Sequence, residues 1–475
     1  MYHTNSSAAK MLQYFREISK IPRPSGHEEK IADHIEAFLK ERGIEYKRDA
    51  KHNIFASLPA SEGREGEDAI LFQGHTDMVC EADTDVKWDV YNEGVTVLQD
   101  GDWLHAKGTT LGGDDGFAVA MMLALLDGEV KSHPKMEFLF TSDEEVGLGG
   151  ALAFDMSCVT APRLVNLDSE EEDRVLVSCA GGVRMDLTVR YPFMDFDGLA
   201  LKLTIDELAG GHSGADIHLG RANANKELAK ALKKLCEKIR VNIASVSGGS
   251  KDNAITRSAS AVFAVTDLKA AQELLAEAEA EFRASLCEED KNAVFKVERV
   301  LAPEKMLSRQ DSRQLADFIA ILPYGVLEMN KDLGIVETSA NIGVVRTNDD
   351  GVSISMLCRS ADDKKLDDVD YIVTMLCVSF GAEKETRNGY PGWSYSPDSK
   401  LCRDYSAAFE KVMGKKPVIC GIHAGLECGI FKKKAPDMDM ISIGADIFDV
   451  HTPRERMSVS SCEHIWQIIC KLLEA

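Results

Sequence analysis

The spacing of apolar positions changes character twice along the chain and divides it into three stretches. In the first, residues 7–19 carry Met11, Leu12, Phe15 and Ile18 at helical spacing. A second helix follows, with Ile31, Ile35, Phe38 and Leu39 on one face and Gly43 after its end. Pro22-Arg23-Pro24-Ser25-Gly26 breaks the chain between them. Residues 45–48, 53–58, 69–72, 135–140 and 163–167 read as strands. Residues 61–68 are polar and glycine-containing, a surface loop. The segment 78–111 reads as irregular chain, and 117–126 as a helix with no polar face.

After Ala180-Gly181-Gly182 the alternation sharpens. Strands are expected at 184–190, 199–208, 241–247, 259–266, 293–300, 335–346 and 352–360. Helices at 222–238, 267–285, 309–320 and 363–379 are interleaved with them. Long helices between paired strands predict an α+β domain on an antiparallel sheet. No sequence repeat is evident, although the element order suggests two similar halves. From about Tyr390 the first pattern returns, with helix 402–413, strands 417–420 and 440–443, and a closing helix 459–473. The expected organisation is therefore an α/β domain, residues 1–181 with 390–475, interrupted by an inserted α+β domain, residues 182–389.

A chain of 475 residues has room for two or more domains. Its 44% hydrophobic and 28% charged content is that of an ordinary soluble globular protein. The net charge of -23 argues against nucleic acid or an anionic membrane as partner; its plainest meaning is a solubilising surface. Twelve cysteines without a Cys-x-x-Cys pair, most in apolar contexts, suit reduced thiols in a cytoplasm better than a disulfide framework. The N-terminus shows no basic-then-apolar signal, and the apolar run 117–126 is too short to span a bilayer.

Candidate chemistry gathers at strand ends. The strand at 69–72 delivers His75 and Asp77, two residues apart and so on one side of an extended backbone. An imidazole can ligate a metal while a carboxylate fixes its tautomer. Alone, such a pair is more often a solvated strand end. The next strand ends carry Asp143-Glu144-Glu145 and Asp168-Ser-Glu170. Asp114-Asp115 opens the apolar helix, where an aspartate also serves as a cap. Asp446, Asp449 and His451 follow the strand at 440–443. Open α/β sheets place their sites at such ends.

His75-Thr-Asp77, Gly113-Asp114-Asp115-Gly116, Asp143-Glu144-Glu145, Asn166-Leu-Asp168-Ser-Glu170, Gly211-His212-Ser213 and His451 occur in a specific order. In that order they resemble the co-catalytic dizinc peptidases, which include carboxypeptidase G, aminoacylase and succinyl-diaminopimelate desuccinylase. Ile422-His-Ala-Gly-Leu-Glu-Cys-Gly429 and the length of the insertion are similar to the aminoacyl-histidine dipeptidase branch. The resemblance covers essentially the whole chain. It implies a mixed-sheet dizinc catalytic domain with a large inserted lid. It further implies two Zn²⁺, with Co²⁺ or Mn²⁺ as substitutes, and hydrolysis of Xaa-His, carnosine-like and broader dipeptides. A deacylase or tripeptidase using the same site is the alternative, and a homodimer remains an open assembly state.

By the same resemblance His75 and Asp168 would bind one ion, Glu145 and His451 the other, and Asp114 would bridge them. Asp77 would orient His75, and Glu144 would be the general base. A cis peptide would follow Asp114. His212 would help hold the scissile carbonyl as it becomes an oxyanion, within its own chain or across a dimer. Asn253, Asn341, Arg359 and His423 are candidates for substrate contacts, since an arginine can grip a carboxylate bidentately. Two departures stand out: Asp115 where the branch usually has asparagine, adding a charge beside the bridge, and Val146 where a small residue is usual. Neither removes a ligand. A serine hydrolase is disfavoured because no Gly-x-Ser-x-Gly elbow occurs.

Overall fold

The computed structural model describes residues 8–196 and 199–474. It divides into two compact units. One comprises residues up to Ser178 together with Trp393–Gly421 and the stretch from Leu426 onward; the other comprises Cys179–Gly392 and Ile422–Gly425. The loop Ile422–Gly425 counts with the second unit because it bonds there. Ala180 N–H donates to Ile422 O and Ala424 O.

The first unit is built on an eight-stranded sheet. Its order is Glu45–Arg48, Ile54–Leu58, Met136–Thr141, Ile70–His75, Arg163–Asn166, Asp439–Ser442, Arg174–Cys179 and Val418–Ile422. The four central strands, Met136–Thr141 to Asp439–Ser442, run parallel. The strands Ile70–His75 and Met136–Thr141 are buried along their whole length, the unbroken pattern of strands covered on both faces. The helix Gly113–Leu126 covers one face, and from Phe117 to Leu125 every side chain is fully buried. A helix apolar all round belongs inside a core. It lies so close to the sheet that a Cβ added at Gly74 would stand 2.3 Å from Ala118 Cβ.

The second unit is an antiparallel sheet backed by the helices Ala224–Lys238, Leu268–Ser285, Arg309–Ile321 and Asp363–Phe380. The strands run in the order Val294–Leu301, Leu199–Asp206, Ala259–Val265, Val241–Gly248, Ile335–Asn348, Gly351–Ser360, Gly181–Arg190 and Ala382–Tyr390, with Gly325–Asn330 pairing Ile335–Asn348. Every pairing in it is antiparallel. Among the described residues no helix is long and apolar enough to cross a membrane.

Several elements depart from the sequence expectation. The segment 78–111 is not irregular throughout. It holds the hairpin Val97–Asp100 and Trp103–Ala106, which joins Arg456–Ser458 and Ile447–Phe448 in a four-stranded sheet. Its first strand is mostly exposed and shows no apolar alternation. Gly325–Asn330 and Ala382–Tyr390 were not expected for the same reason: exposed strands with little to bury lack the signal. The first helix is Ala9–Ile18, and the expected start at residue 7 lies outside the described residues.

Candidate metal centre

The C-terminal ends of the parallel strands bring five candidate ligands together within the first unit. His75 ends its strand, with Nε2 at 2.9 Å from Asp114 Oδ1 and 3.5 Å from Asp168 Oδ1. Asp168 follows the strand Arg163–Asn166. His451 Nε2 lies 3.1 Å from Asp114 Oδ2 and 2.8 Å from Glu145 Oε1. Two imidazoles thus face the two oxygens of one carboxylate. Asp143, Asp449 and His451 adopt positive φ, a left-handed conformation that non-glycine residues take up rarely and that clusters at functional sites.

Asp77 braces two of these loops. Its Oδ1 lies 3.4 Å from His75 Nδ1. The same carboxylate accepts the backbone N–H of Glu144 at 3.1 Å and of Glu145 at 3.3 Å. Ser25 Oγ also donates to it, at 2.8 Å. His75 Nδ1 also lies 3.2 Å from the backbone O of Asp77, so main chain and side chain of one residue together orient His75, while the side chain places the Glu144–Glu145 turn.

Asp114 and Asp115 are adjacent and divide the work. Their shared peptide bond is cis, and both have non-helical φ/ψ. Asp114 faces the two histidines. Asp115 is spent on backbone, accepting His75 N–H at 3.1 Å and Ala118 N–H at 3.2 Å. It caps the helix that follows. Burial, with Asp168 adding to it, pushes the Asp115 carboxyl well above the usual range.

The electrostatics are those of a cation site. Burial pulls the His75 imidazole down, but Asp114, Asp168 and Asp77 outweigh it and raise it well above its ordinary value. Asp114 and Glu145 raise His451 in the same way. Burial would raise Asp114, yet His451 and His75 hold it low. Burial, only partly offset by His75, pushes Glu144 well up, with Asp168, Glu427 and Glu145 adding to it. A crowd of acids that holds positive charge on its imidazoles is a fitting bed for divalent ions, which are bound by imidazole nitrogen and carboxylate oxygen.

The second unit assembles the other candidates. His212 Nδ1 accepts the backbone N–H of Gly214 and Ala215 at 3.3 and 3.1 Å, and its Nε2 lies 3.5 Å from Arg359 Nη2. Burial and then Arg359 lower its pKa. Arg359 is buried, donates from Nη1 to Tyr390 Oη at 2.7 Å, and has no partner for Nε. His423 Nε2 lies 2.7 Å from Ser339 Oγ. A Cβ at Gly214 would stand 2.2 Å from His423 O, 3.2 Å from His212 Cε1 and 3.3 Å from Arg359 Nε, so three of the candidates converge on that glycine. Asn253 O accepts the N–H of Ser213 at 2.9 Å, so its chain runs beside the same loop.

Asn341 is hydrogen-bonded within the second unit. Both its amide hydrogens are spent, on Asp252 O at 2.9 Å and Ala254 O at 2.8 Å, and Asn223 Nδ2 donates to its oxygen at 3.3 Å. It braces the turn that carries Asn253 instead of offering free donors to a substrate.

His423 makes the second unit sensitive to acid. Burial, then Arg359 and His212, lower its pKa to about 3, against about 6.5 in an unfolded chain. The folded state binds fewer protons between these values. Its contribution to stability is therefore full above about pH 6.5 and is lost as pH falls toward 3. Thermal unfolding of the His423→Gln variant should fall less steeply than wild type across that window; identical pH profiles would remove His423 as the cause.

Sequence reasoning missed several residues around the centre. Glu427 is fully buried, accepts from Gln73 Nε2 at 2.5 Å and Thr141 Oγ1 at 2.8 Å, and is pushed by burial up to about 8. Gln73 in turn accepts from Asn166 Nδ2 at 2.8 Å. Arg23 and Glu455 bind only backbone near the centre. Their only sequence signal is place: Arg23 in the proline break, Glu455 four residues after His451.

Parallel strand ends here gather two imidazoles and several carboxylates around one aspartate, a donor set suited to divalent ions. The chain belongs to peptidase family M20/M25/M40, whose model matches residues 71–475. It is 36% identical over 469 residues to the cytosol non-specific dipeptidase of Escherichia coli (strain K12), covering 97% of this chain and 96% of that one. It superposes on the crystal structure of aminoacylhistidine dipeptidase from Vibrio alginolyticus with a TM-score of 0.94 at 34% identity, covering 99% and 97% of the two chains. Aminopeptidase PepT from Bacillus cereus shares the fold, with a TM-score of 0.56 at 16% identity over 98% and 97% of the chains.

Proposed function

We propose that the chain is a dipeptidase, acting on Xaa-His and broader dipeptides with two divalent ions, zinc in the first instance and cobalt or manganese as substitutes. The observation that carries the reading is the pair of imidazoles, His75 and His451, on the two oxygens of Asp114. In this reading His75 and Asp168 hold one ion, Glu145 and His451 the other, and Asp114 both. The first unit is the catalytic domain and the second the lid. The names of the Escherichia coli and Vibrio alginolyticus relatives support dipeptides as the substrate class, and the first supports a cytoplasmic setting.

Bound there, divalent ions supply Lewis acidity, polarising a carbonyl and making water acidic near neutral pH. The chain's own groups do the rest. Glu144 is the proton carrier. Its carboxylate takes a proton from the attacking water and returns it to the nitrogen of the leaving amine as the amide bond breaks. Burial raises its proton affinity, as a group that must accept a proton requires. Asp77 holds the Glu144 backbone in place. His212 offers Nε2–H to the carbonyl oxygen as negative charge develops there. Arg359 meets the substrate carboxylate.

Arg359 gives a direct check on specificity. Arg359→Lys keeps the charge but loses the planar fork, and should lower kcat/KM for a dipeptide about 10–100-fold, chiefly through KM. The corresponding dipeptide amide should be far less affected. Equal losses for the two substrates would make Arg359 a structural partner of Tyr390 only. The proposed activity itself is tested with Xaa-His dipeptides, tripeptides and N-acyl amino acids on metal-loaded and chelated protein. Preferential metal-dependent cleavage of dipeptides is expected; preferential cleavage of tripeptides or N-acyl amino acids would favour the alternative.

A further inference from the structure

Glu455 is 2% exposed, and its hydrogen bonds among the described residues go to backbone. Its carboxylate accepts four consecutive backbone N–H groups: Leu111 at 2.7 Å, Gly112 at 2.9 Å, Gly113 at 2.7 Å and Asp114 at 3.3 Å. Successive N–H groups converging on one point form an anion-binding nest. Here the chain fills the nest itself. Glu455 N–H donates to Thr452 O at 3.0 Å, so the side chain springs from the turn just after His451.

Arg23, also 2% exposed, binds the same loop by a carbonyl. Its Nη1 donates to Thr76 O and Asp77 O, both at 3.0 Å, and its Nη2 to Gly112 O at 2.5 Å. The fit is close. Gly112 has φ +70°, and a Cβ there would stand 2.6 Å from Arg23 Nη2 and 2.7 Å from Met78 Sδ. Two buried charges of opposite sign thus grip one loop, one by its N–H groups and one by a carbonyl. Through them the loops bearing His75, Asp114 and His451 are tied to one another.

We propose that Glu455, with Arg23 opposing it, is a positioning residue for the metal centre: it fixes the backbone of Leu111–Asp114 so that Asp114 keeps one oxygen toward His75 and the other toward His451. The inference rests on the ligand assignment above. Groups behind metal ligands commonly change affinity by about 10–100-fold when replaced. A merely structural carboxylate would change folding and leave affinity alone.

The test uses the full chain, stripped of metal. Zn²⁺ affinity is measured by competition with a chromophoric chelator, alongside thermal unfolding of the metal-free protein. Glu455→Gln keeps the shape but turns an NH₂ group toward backbone N–H donors. It should bind zinc about 10–100-fold more weakly while remaining folded. Glu455→Asp, which keeps the carboxylate, should recover part of that loss. Arg23→Lys should weaken zinc binding in the same direction, and serves as the deciding variant if Glu455→Gln does not fold. Wild-type zinc affinity in the folded variant, beside an Asp114→Ala control that loses zinc, would overturn the inference and leave the ligand assignment standing. Undiminished zinc binding in Asp114→Ala would instead overturn the ligand assignment.

Discussion

Glu144→Gln is expected to keep two metal ions and bind dipeptide, while hydrolysis falls by about 10²–10⁴, the usual share of a general base. The amide preserves shape and an oxygen acceptor but takes up no proton. Glu145→Gln should behave differently, although the two residues are neighbours of the same kind. Glu145 Oε1 lies 2.8 Å from His451 Nε2, on the side of the centre assigned to the second ion. Replacing that anionic oxygen by a neutral one should release this ion first, and added zinc should restore part of the rate. Metal analysis of both variants beside their rates decides the matter. Metal loss in Glu144→Gln with full retention in Glu145→Gln would reverse the two assignments.

His212→Ala should leave metal content and folding unchanged and lower turnover by about 10²–10³, the cost of losing one oxyanion donor. Backbone N–H groups occupy Nδ1 and leave Nε2 as the nitrogen facing Arg359, the side open to a substrate oxygen. Burial and Arg359 lower the pKa of His212, which favours the neutral ring. Unchanged kinetics in the variant would make His212 an ordinary loop histidine that packs against Arg359.

What could be read in the sequence follows from where each signal resides. His75, Asp114, Glu145, Asp168 and His451 stand in recognisable order at the ends of apolar runs, and the structure gathers them. The central strands and the long helices were legible because buried surfaces impose periodicity. Gly325–Asn330 and Ala382–Tyr390 bury little, so nothing in their pattern marks them. The division of labour between Asp114 and Asp115 lies in local φ/ψ, where two identical residue types give no hint. Asn341 looked like a polar candidate for substrate, but its donors close a turn. Glu455 meets Gly112 across 343 residues of sequence, through backbone groups that every residue carries. Side-chain type alone does not reveal such a contact.

Titration of the metal-free chain with Zn²⁺, reading bound metal and Xaa-His dipeptide hydrolysis in the same samples, tests the central claim most directly. Hydrolysis should be absent without metal, rise with occupancy and reach its plateau at about two ions per chain, as a two-metal centre requires. Asp114→Ala should lose both ions' retention and the activity together. Undiminished hydrolysis by the metal-free chain, or full metal binding by Asp114→Ala, would contradict it.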